Sequence, residues 1–105
     1  MTTNKLVRSP ELLSRRDSAL LVIDVQERLL QLTLDYGRVL WNIERLLDGA
    51  GILGVHKLAT EQNPDKLGPT SATLASRVSD VSSKIAFSCC SDGDLFRPPI
   101  GTRNL

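Results

Sequence analysis

The chain is poor in the residues from which metal centres, disulfide scaffolds and base-stacking surfaces are built. Its 105 residues include one histidine, His56, and two cysteines, Cys89 and Cys90, which are adjacent. Neighbouring cysteines can be bridged only with strained geometry, so the pair writes no disulfide framework. Small semi-buried residues in a reduced compartment are its plain reading. A Cys/His zinc site lacks ligands, and neither a metal nor another cofactor is expected. Only four side chains are aromatic, too few for a platform that stacks bases. An excess of one charge is missing as well. Thirteen Lys and Arg stand against twelve Asp and Glu, a net charge of +1, which argues against a nucleic-acid or membrane-surface partner. No apolar run approaches the roughly 20 residues of a membrane span. The opening "MTTNKLVRSPELLSRRDS" lacks the continuous apolar core of a secretory signal. The expectation is a soluble, cytoplasmic protein.

Hydrophobic residues make up 41% of the chain and charged residues 24%, an ordinary globular balance. The length allows one domain at most, or an incomplete one. "ALLVIDVQ", residues 19–26, is an apolar run that stops on an acid. Strands that bury both faces in a parallel sheet read this way, and open α/β sheets place their ligand crevice at the carboxyl ends of such strands. The run predicts a central strand over 19–25, followed by a short helix or an irregular loop at "ERLLQLTL". From 37 to 50, Val39, Leu40, Ile43, Leu46, Leu47 and Ala50 recur at the spacing of an amphipathic helix. Gly49, Gly51 and Gly54 crowd its end. "VHKLAT", 55–60, reads as a second strand. Strand, helix and strand in about 40 residues satisfy the roughly 30 of a βαβ unit, so the strands should be parallel. "EQNPDKLGPT" reads as a loop. "SATLASRVSDV" shows a weak helical stripe of Leu74 and Val78, and "SSKIAFSCC" a short third strand. "PELLS" suggests a helical turn opened by Pro10.

Three of these segments, "ALLVIDVQERLL", "LATEQNPDKLGPT" and "SKIAFSCC", agree in order and spacing with one family. Over about residues 12–90 the chain resembles the isochorismatase-like cysteine hydrolases. Within them it is most similar to the metal-free branch of isochorismatase-domain proteins, whose loop after the second strand commonly reads TEQ, Pro, then LGPT. The resemblance implies the N-terminal part of a three-layer α/β/α sandwich, Rossmann-like, with a largely parallel sheet, here incomplete. Residues 1–17 would be a lead-in, 18–90 a partial domain and 91–105 an irregular tail.

The family works with an Asp–Lys–Cys triad. By motif, Asp24 corresponds to the acid that takes the thiol proton and later helps to activate water. Lys84 corresponds to the lysine that favours a thiolate, as a nearby ammonium lowers a thiol's pKa from about 8.5. Lys66 is its competitor from the neighbouring loop. Gln26, Thr60, Glu61 and Gln62 are grouped as substrate-binding, with a structural role for Gln26 and a plain loop for the other three as the alternatives. Without the resemblance, Asp24 would read as a cap on the following helix and Lys84 as a solvated surface lysine. Trp41 reads as packing, and His56 as a tolerated surface residue.

The sequence also departs from the pattern. His56 and Lys57 stand where the family's second strand is apolar, and an unpaired buried lysine is costly. Cys89 and Cys90 lie five and six residues after Lys84 and do not occupy the nucleophile's place, which lies beyond a further strand. "DLFRPPIGTRNL" has the wrong character to lead there. The expectation is a truncated chain, inactive alone, from a family that hydrolyses small amides, esters or vinyl-ether-like molecules. The alternative is a non-catalytic interaction module or a non-functional gene fragment. An uncovered sheet edge beside apolar side chains invites self-association and leaves a narrow margin of stability.

Overall fold

In a computed structural model, residue 9 and residues 12–88 are described. The suggested turn at Pro10, the tail 91–105 and the pair Cys89–Cys90 therefore lie outside the described residues. After a 3-10 turn at Arg15–Asp17, the elements run β1 (Ala19–Ile23), α1 (Glu27–Gln31), α2 (Tyr36–Leu53), β2 (His56–Gln62), α3 (Pro64–Leu67), α4 (Ala72–Ala75) and β3 (Asp80–Lys84). The three strands form one parallel sheet in the order β1-β2-β3. It is an α/β fold, as the βαβ spacing implies.

Three consecutive residues of β2, Leu58, Ala59 and Thr60, are buried, and β2 is the middle strand. β1 was expected to be a central strand left with one edge uncovered, and among the described residues it pairs with β2 alone. Its apolar run asks for burial, but among the described residues β1 has a neighbour on one side only, and Ile23 is 53% exposed. An apolar run reports what a strand could bury, whereas strand order depends on what lies beside it.

The ends of the strands also shift. β1 closes at Ile23 because Asp24 takes a left-handed backbone, φ 54°, which breaks the pleat. β2 runs on through Glu61 and Gln62, which the sequence suggested belonged to a loop. β3 begins at Asp80 and leaves the sheet after Lys84, well before the residue-90 end that "SSKIAFSCC" suggested. Its last partner is Gln62, and beyond that point no ladder is left to hold Ile85 in register. The "EQNPDKLGPT" segment contains a single helical turn opened by Pro64, a position that suits proline because its missing N–H would be unpaired there anyway.

The core gathers Val22 of β1, Ala59 of β2, Leu47 of α2 and Leu74 of α4, with Leu20, Leu40, Ile43 and Val78 packed around it. The predicted stripe of α2 therefore divides. Leu47 and Ala50 are buried, while Leu46 is 60% exposed. Trp41 does not pack into the core. It is more than half exposed, with the Arg45 guanidinium 4.5 Å from its ring centre, a cation–π contact. The helix stops at Gly54, whose φ of 71° turns the chain so that the Val55 N–H donates back to the Ala50 carbonyl at 2.8 Å. His56 and Lys57 sit half-buried at the opening of β2. His56 lies 3.4 Å from Asp80, and the Lys57 ammonium reaches over Gly51 in the last turn of α2, where a cation suits the helix dipole.

The division of α2 sets a test. Leu47→Ala should lower unfolding stability by about 2–5 kcal/mol, the usual cost of emptying a buried leucine site. Leu46→Ala, one residue away, should cost within about 0.5 kcal/mol as a surface change. Urea denaturation of both variants measures the difference.

Candidate functional site

All three strands point the same way, so Asp24, Gln62 and Lys84 come together at the carboxyl edge of the sheet. In doubly wound sheets this edge, beside the first strand, is where strand order reverses and ligands bind. The Lys84 ammonium lies 2.9 Å from Oδ2 of Asp24, across 60 residues of chain. Both side chains are withdrawn from solvent, at 3% exposure for Lys84 and 13% for Asp24. The Thr60 hydroxyl donates to the other carboxylate oxygen, Oδ1, at 2.9 Å, and the Thr60 carbonyl accepts the Asp24 N–H at 3.1 Å. Thr60 thus grips Asp24 by backbone and side chain together. The left-handed backbone of Asp24 is of the kind that persists only where the surroundings over-determine it, and such residues cluster at functional sites.

Lys84 spends all three ammonium protons. Besides Asp24 it donates to the carbonyls of Ala86 at 3.2 Å and Phe87 at 2.9 Å. The turn after β3 therefore wraps around the charge. Lys66, the alternative lysine, is exposed, and its described contact is a backbone one: its carbonyl accepts from Arg28.

The remaining predicted residues lie around this group. Gln26 is fully buried. Its amide donates to the carbonyls of Gln62 at 3.0 Å and Gly68 at 2.7 Å, and its oxygen accepts the Gln62 N–H at 2.7 Å. With those bonds made, the side chain ties the end of β2 to the loop that follows and offers no surface to a small molecule. Glu61 turns to the opposite side from Thr60, as alternation along a strand requires. One oxygen of its carboxylate accepts both the N–H and the hydroxyl of Thr70, at 2.5 and 2.7 Å. Glu27, which sequence reasoning passed over, accepts from the Ala72 N–H at 3.0 Å. The segment from Asn63 to Ala72 is thereby fastened from several directions. Period-two alternation in "ATEQ" was the available signal that Thr60 and Glu61 serve different neighbours. The bond from Gln26 to Gly68 crosses 42 residues and left no local trace.

Among the described residues no group of three or more His, Cys, Asp or Glu side chains is placed to hold a metal ion, and no helix is long and apolar enough to cross a membrane.

Known proteins resemble the chain in sequence and in fold. The chain is 36% identical over 76 residues to isochorismatase domain-containing protein 2 of Danio rerio, an alignment covering 72% of this chain and 39% of the relative. The chain belongs to the isochorismatase-like family. Its fold also matches the solved structure of MAR1 ribonuclease from Caenorhabditis elegans with a TM-score of 0.70 at 32% identity, covering 74% of this chain and 42% of that one. The chain thus spans about two fifths of the length of each of these proteins. No family model matches it. Within this isochorismatase-like fold, the acid at the end of the first strand and the lysine at the end of the third form the one buried salt bridge among the described residues.

A buried pair is most expensive when half of it is removed. Lys84→Met should destabilise the fold by about 3–5 kcal/mol because Asp24 is left buried without its counter-charge. Asp24→Asn, which is neutral and tolerates the left-handed backbone, combined with Lys84→Met should recover most of that loss. A double-mutant cycle in chemical denaturation reads the coupling directly. Gln26→Leu should cost about 1–3 kcal/mol by orphaning the Gln62 and Gly68 backbone groups, with faster amide exchange around those residues.

Proposed function

We propose that this chain carries the acid-and-ammonium half of a cysteine-hydrolase site and turns over no substrate alone. The observation that supports the reading is the buried Asp24–Lys84 pair at the carboxyl edge of the sheet, with Thr60 on the second carboxylate oxygen. In this reading Asp24 and Lys84 are the catalytic pair, and the nucleophile comes from polypeptide beyond the matched positions. Gln26, Glu61 and Gln62 shape the site by fixing its loops.

The chemistry follows from the charges. The thiol proton passes to the Asp24 carboxylate, and the sulfur, as thiolate, attacks the carbonyl carbon of a small amide or ester. Lys84 favours the thiolate through its field, since its three N–H groups are already occupied. The C–N or C–O bond breaks as the leaving group takes the proton from Asp24. Water then attacks the thioester, its proton passes to Asp24, and the acid product and free thiol are released.

The test joins residues 1–88 of this chain to the C-terminal remainder of the zebrafish relative. The chimera should hydrolyse small amides or esters in a thiol-dependent way, and Asp24→Ala or Lys84→Ala should each lower turnover at least about 100-fold, the lower range for loss of general acid–base catalysis. The 105-residue chain should remain at the buffer rate. An RNA oligonucleotide belongs in the substrate panel because the structural neighbour is named a ribonuclease. A chimera that folds and turns over substrate unchanged by either substitution overturns the assignment.

A further inference from the structure

We propose that Gln26 is a positioning residue for the Asp24–Lys84 pair: its side-chain carboxamide takes the place of the β1 backbone against Gln62, and so lets Asp24 leave the strand and reach Lys84. The register shows why the chain needs such a device. Partners across parallel strands share a face, so Ile23, Thr60, Gln62 and Lys84 belong to one face of the sheet. Val22 and Ala59 belong to the other, against Leu47 and Leu74. An extended residue 24 would follow Val22 onto that core face, away from Lys84. The left-handed backbone of Asp24, φ 54°, instead brings its carboxylate round to Thr60 and Lys84, each of which bonds it at 2.9 Å.

Leaving the strand at that point takes a neighbour away from the end of β2. The Asp24 N–H still bonds the Thr60 carbonyl. In a continuing parallel ladder the Gln62 N–H would donate to the Asp24 carbonyl, and the Gln62 carbonyl would accept the N–H of residue 26. One side chain meets both groups instead. Oε1 of Gln26 accepts the Gln62 N–H at 2.7 Å, and Nε2 donates to the Gln62 carbonyl at 3.0 Å. A primary amide can do this because it carries the donor and the acceptor of a peptide group on one side chain. The backbone on either side of Gln26 is used elsewhere. The Val25 carbonyl accepts the Ser71 N–H at 2.9 Å, and the Glu27 N–H donates to the Pro69 carbonyl at 3.0 Å.

The ammonium is served by the same amide. Gln62 is the register partner of Lys84, and the next residue, Asn63, donates its N–H to the Lys84 carbonyl at 2.7 Å. Gln26 therefore fixes the end of β2 between the acid on one side and the lysine on the other. It is fully buried, and its side-chain bonds go to backbone groups of Gln62 and Gly68. It acts through Asp24 and Lys84 and meets no substrate. That the pair it positions is catalytic rests on the hydrolase reading, whereas the positioning itself is measurable without turnover.

NMR on the whole isotope-labelled chain tests this. The Lys84 ammonium, with three acceptors and 3% exposure, should exchange with water slowly enough to give a resolved proton–nitrogen signal, identified by its loss in Lys84→Arg. Gln26→Leu should abolish that signal while the backbone amide signals of Leu47, Leu58 and Ala59 stay in place. Glu27→Ala releases the Asn63–Ala72 segment from a different tether and leaves the ladder position alone, so the signal should persist. A Lys84 signal that survives Gln26→Leu, or is lost equally in both variants, would make Gln26 one loop tether among several and overturn the proposal. If Gln26→Leu fails to fold, the wild type decides. Its Gln62 amide nitrogen should couple across the hydrogen bond to the side-chain carbonyl carbon of Gln26, and coupling to the Asp24 backbone carbonyl instead would overturn the proposal. A chimera inactive toward every substrate would sink the hydrolase reading and leave these signals unchanged.

Discussion

A carboxylate and an ammonium, 60 residues apart in the chain, are held 2.9 Å apart almost out of contact with water. Much of the described structure follows from keeping them there. Burying either charge alone would cost several kcal/mol, so each is tolerated only while the other stays in place. Parallel strands bring both to one edge of the sheet, and Thr60 of the middle strand completes the hydrogen bonding of the acid. The kink at Asp24 and the turn after Lys84 belong to the same arrangement: one aims the carboxylate inward, and the other wraps carbonyls around the ammonium.

The surroundings of the pair are built from polar cross-links more than from apolar packing. Gln26, Glu27 and Glu61 each take backbone N–H or C=O groups from distant segments. Single-turn helices such as α3 and α4 cannot hold themselves in water. Loops of this length carry many backbone groups that need partners if they are to approach a core. Side chains reaching in from β2 and α1 meet that need, and they give the carboxyl edge of the sheet a defined floor.

On the other side of β1 the balance reverses. Apolar side chains of β1 and α2 lie half in solvent, and the strand's outer backbone groups face no neighbouring strand among the described residues. The core proper is small, with four residues from four elements at its centre. A sheet whose charged edge is β3 and whose uncharged edge is β1 is polarised, with one side able to end in water and the other suited to continue into more sheet.

The element types, the βαβ unit and the two members of the buried salt bridge were legible in the sequence because each has a local signature. These were an apolar run closed by an acid, a helical stripe ended by glycine, and short motifs in fixed order around Asp24 and Lys84. Strand order, the ends of the strands and the division of the α2 stripe were not legible, since each depends on which surfaces meet. Leu46 and Leu47 are adjacent and equally apolar, yet only packing against the sheet tells them apart. Gln26 is the plainest case. Its amide makes three long-range bonds that no spacing rule anticipates, because hydrogen-bond partners are matched in space after the chain has turned back on itself. The sequence alone determined which residues carry charge and where strands and the long helix could form. Only the tertiary structure decided that Thr60 would grip the acid and that Gln26 would become a tether, because those outcomes depend on contacts between segments far apart in the chain.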